Sequence, residues 1–280
     1  MADGPTYGQL AVVPLDRPDG PRAVAEVKCI RVYATRADGL CLTDNKLALD
    51  SSVAVILDEA LSPRHRLPVI GISSRVRLSP DGALAAVTTF VAGHSYADGG
   101  FSTATTMYDT RLGTSIGNLE EFRVLHDGKR YDAADMNVWG VTFADGNRFY
   151  ATVASRGRIW LAEGDVARRE LRTLREGVEC PSLSPDGTRV AYKERDGSEP
   201  ASWRLHVLDL RTGHDVALAE TRVVDDQVEW LDNDQVAYGM ARQVGNSYIG
   251  DETDVWVVPA DGSGQPRVLV PRAWSPAVVR

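Results

Sequence analysis

The side chains in this chain best suited to chemistry gather in a few polar, loop-like stretches. Gly93-His94-Ser95-Tyr96-Ala97-Asp98 and Gly245-Asn246-Ser247-Tyr248 echo each other as Gly-x-Ser-Tyr. In such a pair the tyrosine rings offer recognition platforms, and Ser95, Ser247, His94 and Asn246 supply hydrogen bonds. The alternative is that the motif turns the chain and packs its tyrosine over the scaffold, a copy left by duplication. The first stretch also approaches the G-x-S-x-G nucleophile elbow, which needs a strand-to-helix turn. Its last position is Ala97 and no helical pattern follows, so Ser95 is not read as a nucleophile. Acidic groups stand in similar stretches at Asp98, Asp132, Asp135, Glu199, Asp251, Glu252 and Asp254. Carboxylates converging from several loops can hold Ca²⁺ through oxygen ligands. None of the strict calcium-loop spacings is present, so the reading is no cofactor. His65, His94, His126, His206 and His214 show no ligand spacing, and no CxxC occurs, which argues against structural zinc.

These stretches need a scaffold, and the composition permits one. The chain has 280 residues, 43% of them apolar, enough to bury a core without staples. Its formal charge of −8 repels phosphate, which argues against nucleic acid as a partner. No window approaches the ~18 apolar residues of a membrane span. The opening MADGPTYGQL lacks the basic and apolar regions of a signal peptide, so the chain is either cytoplasmic or begins after a leader.

The scaffold is repetitive. RVRLSPDGALAAVTTF (75–90) recurs as CPSLSPDGTRVAYKER (180–195), with VWGVTFADGNRFYATVA (138–154) between them. Weaker copies stand at 30–44 and 228–241. Each is an apolar run, an Asp-Gly or Asp-Asn turn, and a second run alternating at period two, which is a β-hairpin. Anchored on Asp38, Asp81, Asp145, Asp186 and Asp232, the spacings are 43, 64, 41 and 46 residues. A more polar hairpin follows each. Four short strands per unit of roughly 40–45 residues is the signature of a β-propeller blade.

The two ends repeat each other as well. LAVVPLDRPDGPRAV (10–24) aligns without a gap on VWVVPADGSGQPRVL (255–269) at an offset of 245, a span of five repeats. The N-terminal hairpin therefore reads as the outer half of a sixth blade, with 272–280 as its inner strand. The expected fold is all-β, one six-bladed propeller of four-stranded antiparallel blades. Its blades fall at 26–70, 74–125, 137–176, 178–220 and 223–270, closed by 8–25 plus 272–280.

Joining second to third strands, and fourth to the next first, the loops emerge on one face. That assignment collects 44–50, 92–103, 194–202, 242–254 and the connection 126–137, which carries Tyr131. The opposite face has only minimal turns. Long loops on a rigid scaffold are the usual seat of a binding site. Most tryptophans fall within strands, and Trp203, beside a long loop, is the one expected to serve that face. Cys29 and Cys41 flank a probable turn, and their spacing allows either a bridge or two reduced, buried thiols. Cys180 reads as a core thiol.

LSPDG followed by an apolar run containing Ala resembles the repeat of TolB-type six-bladed propellers, which are also similar to the propellers of prolyl-oligopeptidase-like enzymes. CIRVYATRADGLCL resembles the first blade of extracytoplasmic TolB-like proteins of actinobacteria. The resemblance covers the chain from about residue 8. It implies the Cys29–Cys41 bridge and an exported, secreted or membrane-anchored parent. The α/β domain that precedes the propeller in TolB proper is missing from this sequence, which puts its transport role in doubt. The resulting expectation is a non-catalytic, monomeric binding propeller. It would recognise a protein, peptide or small ligand through His94, Ser95, Tyr96, Asp98, Tyr131, Trp203, Asn246, Ser247, Tyr248, Asp251, Glu252 and Asp254. The alternative is a propeller hydrolase or lyase with its site at the channel mouth.

Overall fold

The computed structural model describes residues 6–44, 51–93, 100–197, 202–244 and 247–280, with only the backbone described at 243–244 and 247–251. The period-two runs become strands because one face, and in inner strands both faces, is buried between neighbouring sheets. The chain opens with a hairpin of β1 (Gln9–Val12) and β2 (Ala23–Lys28). Blade I holds β3 (Arg31–Ala34), β4 (Gly39–Asp44), β5 (Ser51–Leu57) and β6 (Pro63–Ile70). Blade II holds β7 (Ile72–Leu78), β8 (Leu84–Ala92), β9 (Ser102–Asp109) and β10 (Thr114–Asn118). Two short strands, β11 (Arg123–His126) and β12 (Lys129–Arg130), precede blade III. That blade holds β13 (Asn137–Phe143), β14 (Arg148–Ser155), β15 (Arg158–Asp165) and β16 (Glu170–Glu176). Blade IV holds β17 (Glu179–Leu183), β18 (Arg189–Arg195), β19 (Trp203–Asp209) and β20 (Asp215–Ala217). Blade V holds β21 (Glu229–Trp230), β22 (Gln235–Val244), β23 (Ser247–Pro259) and β24 (Arg267–Val270).

Within each blade the strands pair in sequence order, and the first strands of successive blades meet at the centre. Apolar clusters fill the wedges between sheets. Leu40, Ile56, Leu78 and Val87 close blade I on II, and Met107, Val138, Phe149 and Leu171 close II on III. Glu120 pins the latter wedge. Its carboxylate accepts from Thr105 N at 3.1 Å and from Val138 N at 3.2 Å.

The sequence led us to expect six blades, and the described residues form five. The N-terminal hairpin is a two-stranded sheet by itself, and 271–280 contains no strand. Pro271 and Pro276 cannot donate to a ladder, and Arg272 and Ser275 adopt positive φ values of 49° and 55°. The segment is held by side chains instead. Trp274 packs on Gly239, where a Cβ would stand 2.3 Å from the ring. Ser275 Oγ accepts from Val32 N at 3.1 Å, and Arg22 donates to the carbonyls of Arg272, at 2.9 Å, and of Pro271. The two ends therefore do meet, but through side chains and not through one sheet.

Cys29 and Cys41 are bridged across 12 residues, and Cys180 is a free, buried thiol. The bridge does not close the β3–β4 turn, in which Cys41 pairs with Val32. Cys29 follows β2 and its N–H bonds to Gly8 O, so the disulfide ties the terminal hairpin to blade I. Beneath it, Leu10 and Val27 pack on Cys41, Val55 and Leu57.

Two measurements follow from these contacts. Thiol titration of the denatured, unreduced protein should find one thiol, and Cys29→Ser should lower stability by about 2–3 kcal/mol. Burial raises the Glu120 pKa to about 7, partly offset by the hydrogen bonds it accepts. Between about pH 4.5 and 7 the unfolded chain has lost a proton that the folded chain keeps, so this group makes stability fall as pH rises. Denaturant melts across that range should show the fall in the wild type, and Glu120→Gln should flatten it.

Candidate functional site

Where the inner strands converge, side chains that the sequence places among apolar neighbours carry charge. Glu179 on β17 lies opposite Lys193 on β18, and Arg195 lies opposite Trp203 on β19. This register stacks the four on one side of blade IV, at the mouth of the channel. Lys193 is fully buried; its ammonium stands 4.2 Å from the centre of the Trp203 ring and 2.6 Å from Asp225 Oδ1. Arg195 Nε and Trp203 Nε1 both donate to Glu179 Oε1, at 2.6 and 3.1 Å. Arg75 on β7 reaches Asp225 at 3.7 Å from the other side of the ring. Below them Arg31 meets Asp226 at 3.8 Å, and Arg77 and Arg280 share Glu229 at 3.5 and 3.3 Å.

This arrangement fixes protonation. Burial opposes charge on Lys193, but the charges around it, the Asp225 and Glu179 carboxylates among them, favour the ammonium and its pKa lies above the ordinary value. Burial also opposes the Asp225 carboxylate, and Lys193 and Arg75 more than compensate, leaving its pKa lowered. Burial raises the Cys180 thiol, so it is not a reactive thiolate. The inner strands of blades III and IV approach closely here: a Cβ on Gly140, at φ 64°, would stand 2.6 Å from Cys180 Cα.

Of the residues singled out in the sequence, His94, Ser95, Tyr96, Asp98 and Asn246 lie outside the described residues, as does Glu199. The stretch 242–254, read as a loop, is an extended hairpin arm in which β22 runs to Val244 and β23 begins at Ser247. Tyr248 pairs with Gln243 and Ser247 with Val244 through the backbone, and Asp251 lies on the same strand. Glu252 and Asp254 clamp Arg242 at 3.1 and 2.8 Å, and Asp254 also accepts from Arg272 N at 2.6 Å. The connection 126–137 is likewise not a plain loop. β11 runs parallel to β16 and widens blade III to six strands.

On that added edge Tyr131 meets Trp160 and His126 edge-on at 5.8 and 5.9 Å, with Arg156 over its ring. Asp132 pairs with Arg130, and Asp135 accepts from Ser155 Oγ and Arg156 N, each at 2.6 Å. Trp203 is no loop-tip aromatic: it is 1% exposed and forms the floor beneath Lys193.

The sequence reading missed the floor itself. Its signal was visible in RVRL (75–78), YKER (192–195) and VVDDQVEW (223–230), where charges interrupt inner strands expected to be apolar. It also missed Glu194, His206 and Asp215, whose ligand atoms lie within 4.8 Å of one another. These groups already satisfy each other. His206 faces Asp215 at 2.7 Å and Glu194 at 3.3 Å, while Arg175 and Tyr192 bind Asp215 at 3.0 and 2.5 Å.

No family model matches the chain, and no curated protein sequence matches it. Solved structures do. TolB from Acinetobacter baumannii superposes on 98% of this chain and 67% of its own length, with a TM-score of 0.63 at 15% identity. TolB from Agrobacterium tumefaciens covers 93% of this chain and 87% of its own, at 0.60 and 14%. A puromycin-hydrolyzing peptidase from Mycobacterium tuberculosis matches 89% of this chain over 39% of its own length, at 0.50 and 14%. At such identities the likeness is one of fold: the chain has a TolB-like β-propeller fold with four-stranded antiparallel blades. Among the described residues no helix is long and apolar enough to cross a membrane.

The floor should behave as a structural unit. Lys193→Ala leaves Asp225 beside buried apolar surface without its nearest cation. It should cost about 3 kcal/mol, the low end for a broken buried pair because Asp225 is partly exposed. Arg158→Ala breaks an exposed pair with Glu176 and should leave the same melts close to wild type.

Proposed function

We propose that the protein is a binding propeller that recognises a partner protein or peptide on the face carrying the second-to-third and fourth-to-first strand connections. One observation carries the reading: the two faces of the ring are built for different purposes. On one face the first-to-second strand turns are short and self-contained. Asp81, Asp145, Asp186 and Asp232 each accept hydrogen bonds from N–H groups of their own turn. On the other face lie the long connections, the hairpin arm of blade V and the Tyr131 edge. The same face carries the floor of aromatic and charged side chains locked by one another. A pre-formed floor held by its own ion pairs suits recognition, since little order has to be gained there on binding.

The bridge between Cys29 and Cys41 supports an extracytoplasmic setting, where disulfides persist. Within this reading Tyr96 and Tyr248 are the recognition platforms, with His94, Ser95, Asp98, Asn246, Ser247 and Asp251 as their polar neighbours. The working unit is a monomer, and recognition of this kind needs no cofactor.

The test uses a displayed peptide library panned on the full chain, with enriched peptides re-measured against Tyr96→Ala and Tyr248→Ala. Each variant should weaken binding by at least about 1 kcal/mol while its melt stays within about 0.5 kcal/mol of wild type. Melts that drop by about 3 kcal/mol would make the tyrosines packing elements. Enriched peptides indifferent to both changes would remove the reading.

A further inference from the structure

The ring has five complete blades and one position filled in part. On the outside of that position stands the β1–β2 hairpin, a sheet of two strands where the others have four or six. On the inside runs the C-terminal segment, held between its neighbours' inner strands. Ser275 bonds to Val32 on β3, and Arg280 reaches Glu229 and the Trp230 carbonyl on β21. The segment thus takes the place of an inner strand without being one.

Between the segment and the hairpin lies a cavity of about 1230 Å³. Thr6 through Leu15 line it almost continuously, whereas β2 contributes only Val24. β1 is therefore the strand whose open edge faces the gap, and β2 is the outer strand of the partial blade. The lining is mainly apolar, with charged groups such as Arg36, Asp58 and Glu59 among it, and open to solvent: Val12, Leu15, Val24 and Val279 are 47–57% exposed. Large aliphatics concentrated in one recess mark an interaction site. The volume exceeds the ~300–1,000 Å³ of ordinary small-molecule pockets, which favours a polypeptide occupant.

The five finished blades show what such an occupant looks like. The position between an inner strand and its third neighbour is that of the second strand. Here those strands are β4, β8, β14, β18 and β22, six to ten residues long and mostly buried on both faces. We infer that the partial blade is a docking slot for an extended, apolar strand of a partner protein, which adds to the edge of β1 and completes the blade. Main-chain hydrogen bonds to β1 would supply affinity, and aliphatic pockets on both faces would supply selectivity. A second copy of this chain is a poor donor, because each of its own second strands is already paired on both sides. The slot lies in the wall of the ring, so this inference stands apart from the loop-face reading.

The probe is a synthetic peptide of residues 84–92, the second strand of blade II, with a two-lysine tail and a fluorophore. Anisotropy with the full chain should show saturable binding. Hydrogen exchange should show new protection at residues 9–12. The same peptide with a central proline, and the Val12→Asp variant with wild-type peptide, should each bind about tenfold more weakly or worse. Val12 is half exposed, so the variant's melt should stay near wild type, and the exchange footprint on the wild-type chain does not depend on that variant. No saturable binding, protection elsewhere than on β1, or indifference to both changes overturns the inference. So does a protein that dimerises through the slot, with peptide competing only against the second copy.

Discussion

Five sheets set around one axis bring their first strands so close together that the space between them must be filled by what those strands carry. Apolar side chains fill the wedges farther out, but at the centre the chain uses ions. Lys193, Asp225, Arg75, Glu179 and Arg195 come from blades II and IV and from the turn before blade V, and each is held by a partner from another strand. A buried charge without its partner costs far more than a buried pair, so the positions of these strands are mutually constrained. The close contact of Gly140 with Cys180 belongs to the same constraint.

That centre gives the ring its sidedness. Because the ions and Trp203 lie where the inner strands begin, the floor they form belongs to the face on which the long connections emerge. The other face is governed by local chemistry. In blades II to V an aspartate accepts backbone N–H groups of its own turn, and in blade I Thr35 does so. Asp81 and Asp186 are held below the ordinary carboxylate range first by Ser79 and Ser184, and Asp145 first by the Arg148 N–H. One face is held mainly by hydrogen bonds within its turns, with Asn233 tying the turn of blade V to that of blade IV, and the other rests on ions shared between strands.

Closure of the ring is where local and global demands conflict. The hairpin at one end and the segment at the other arrive at the same place, joined by Arg22, Ser275, Trp274 and the Cys29–Cys41 bridge. Side chains can anchor a segment whose backbone cannot pair, and two prolines with two positive-φ residues keep this one from pairing. The result is a ring whose ends are joined, with an open recess in its wall.

The sequence by itself determined whatever rests on neighbours along the chain. The paired runs around Asp38, Asp81, Asp145, Asp186 and Asp232 are hairpins, because alternation and an Asx turn are local properties. The all-β propeller class followed from their recurrence, and the likeness of the two ends correctly foretold that they meet. What only the tertiary structure decided rests on contacts across hundreds of residues. Whether 272–280 pairs as a strand depends on its fit against Gly239 and Val32, so six blades were expected and five formed. The extension of 242–254 into a hairpin arm, and the attachment of β11 to blade III, depend on the edges offered by other strands. Trp203 and Lys193 illustrate the limit most clearly: the tryptophan, beside a long loop, reads as serving the binding face, and the lysine only as a charge in an inner strand. Register alone stacked them, and only a carboxylate at residue 225, brought in from outside blade IV, made it possible to bury them.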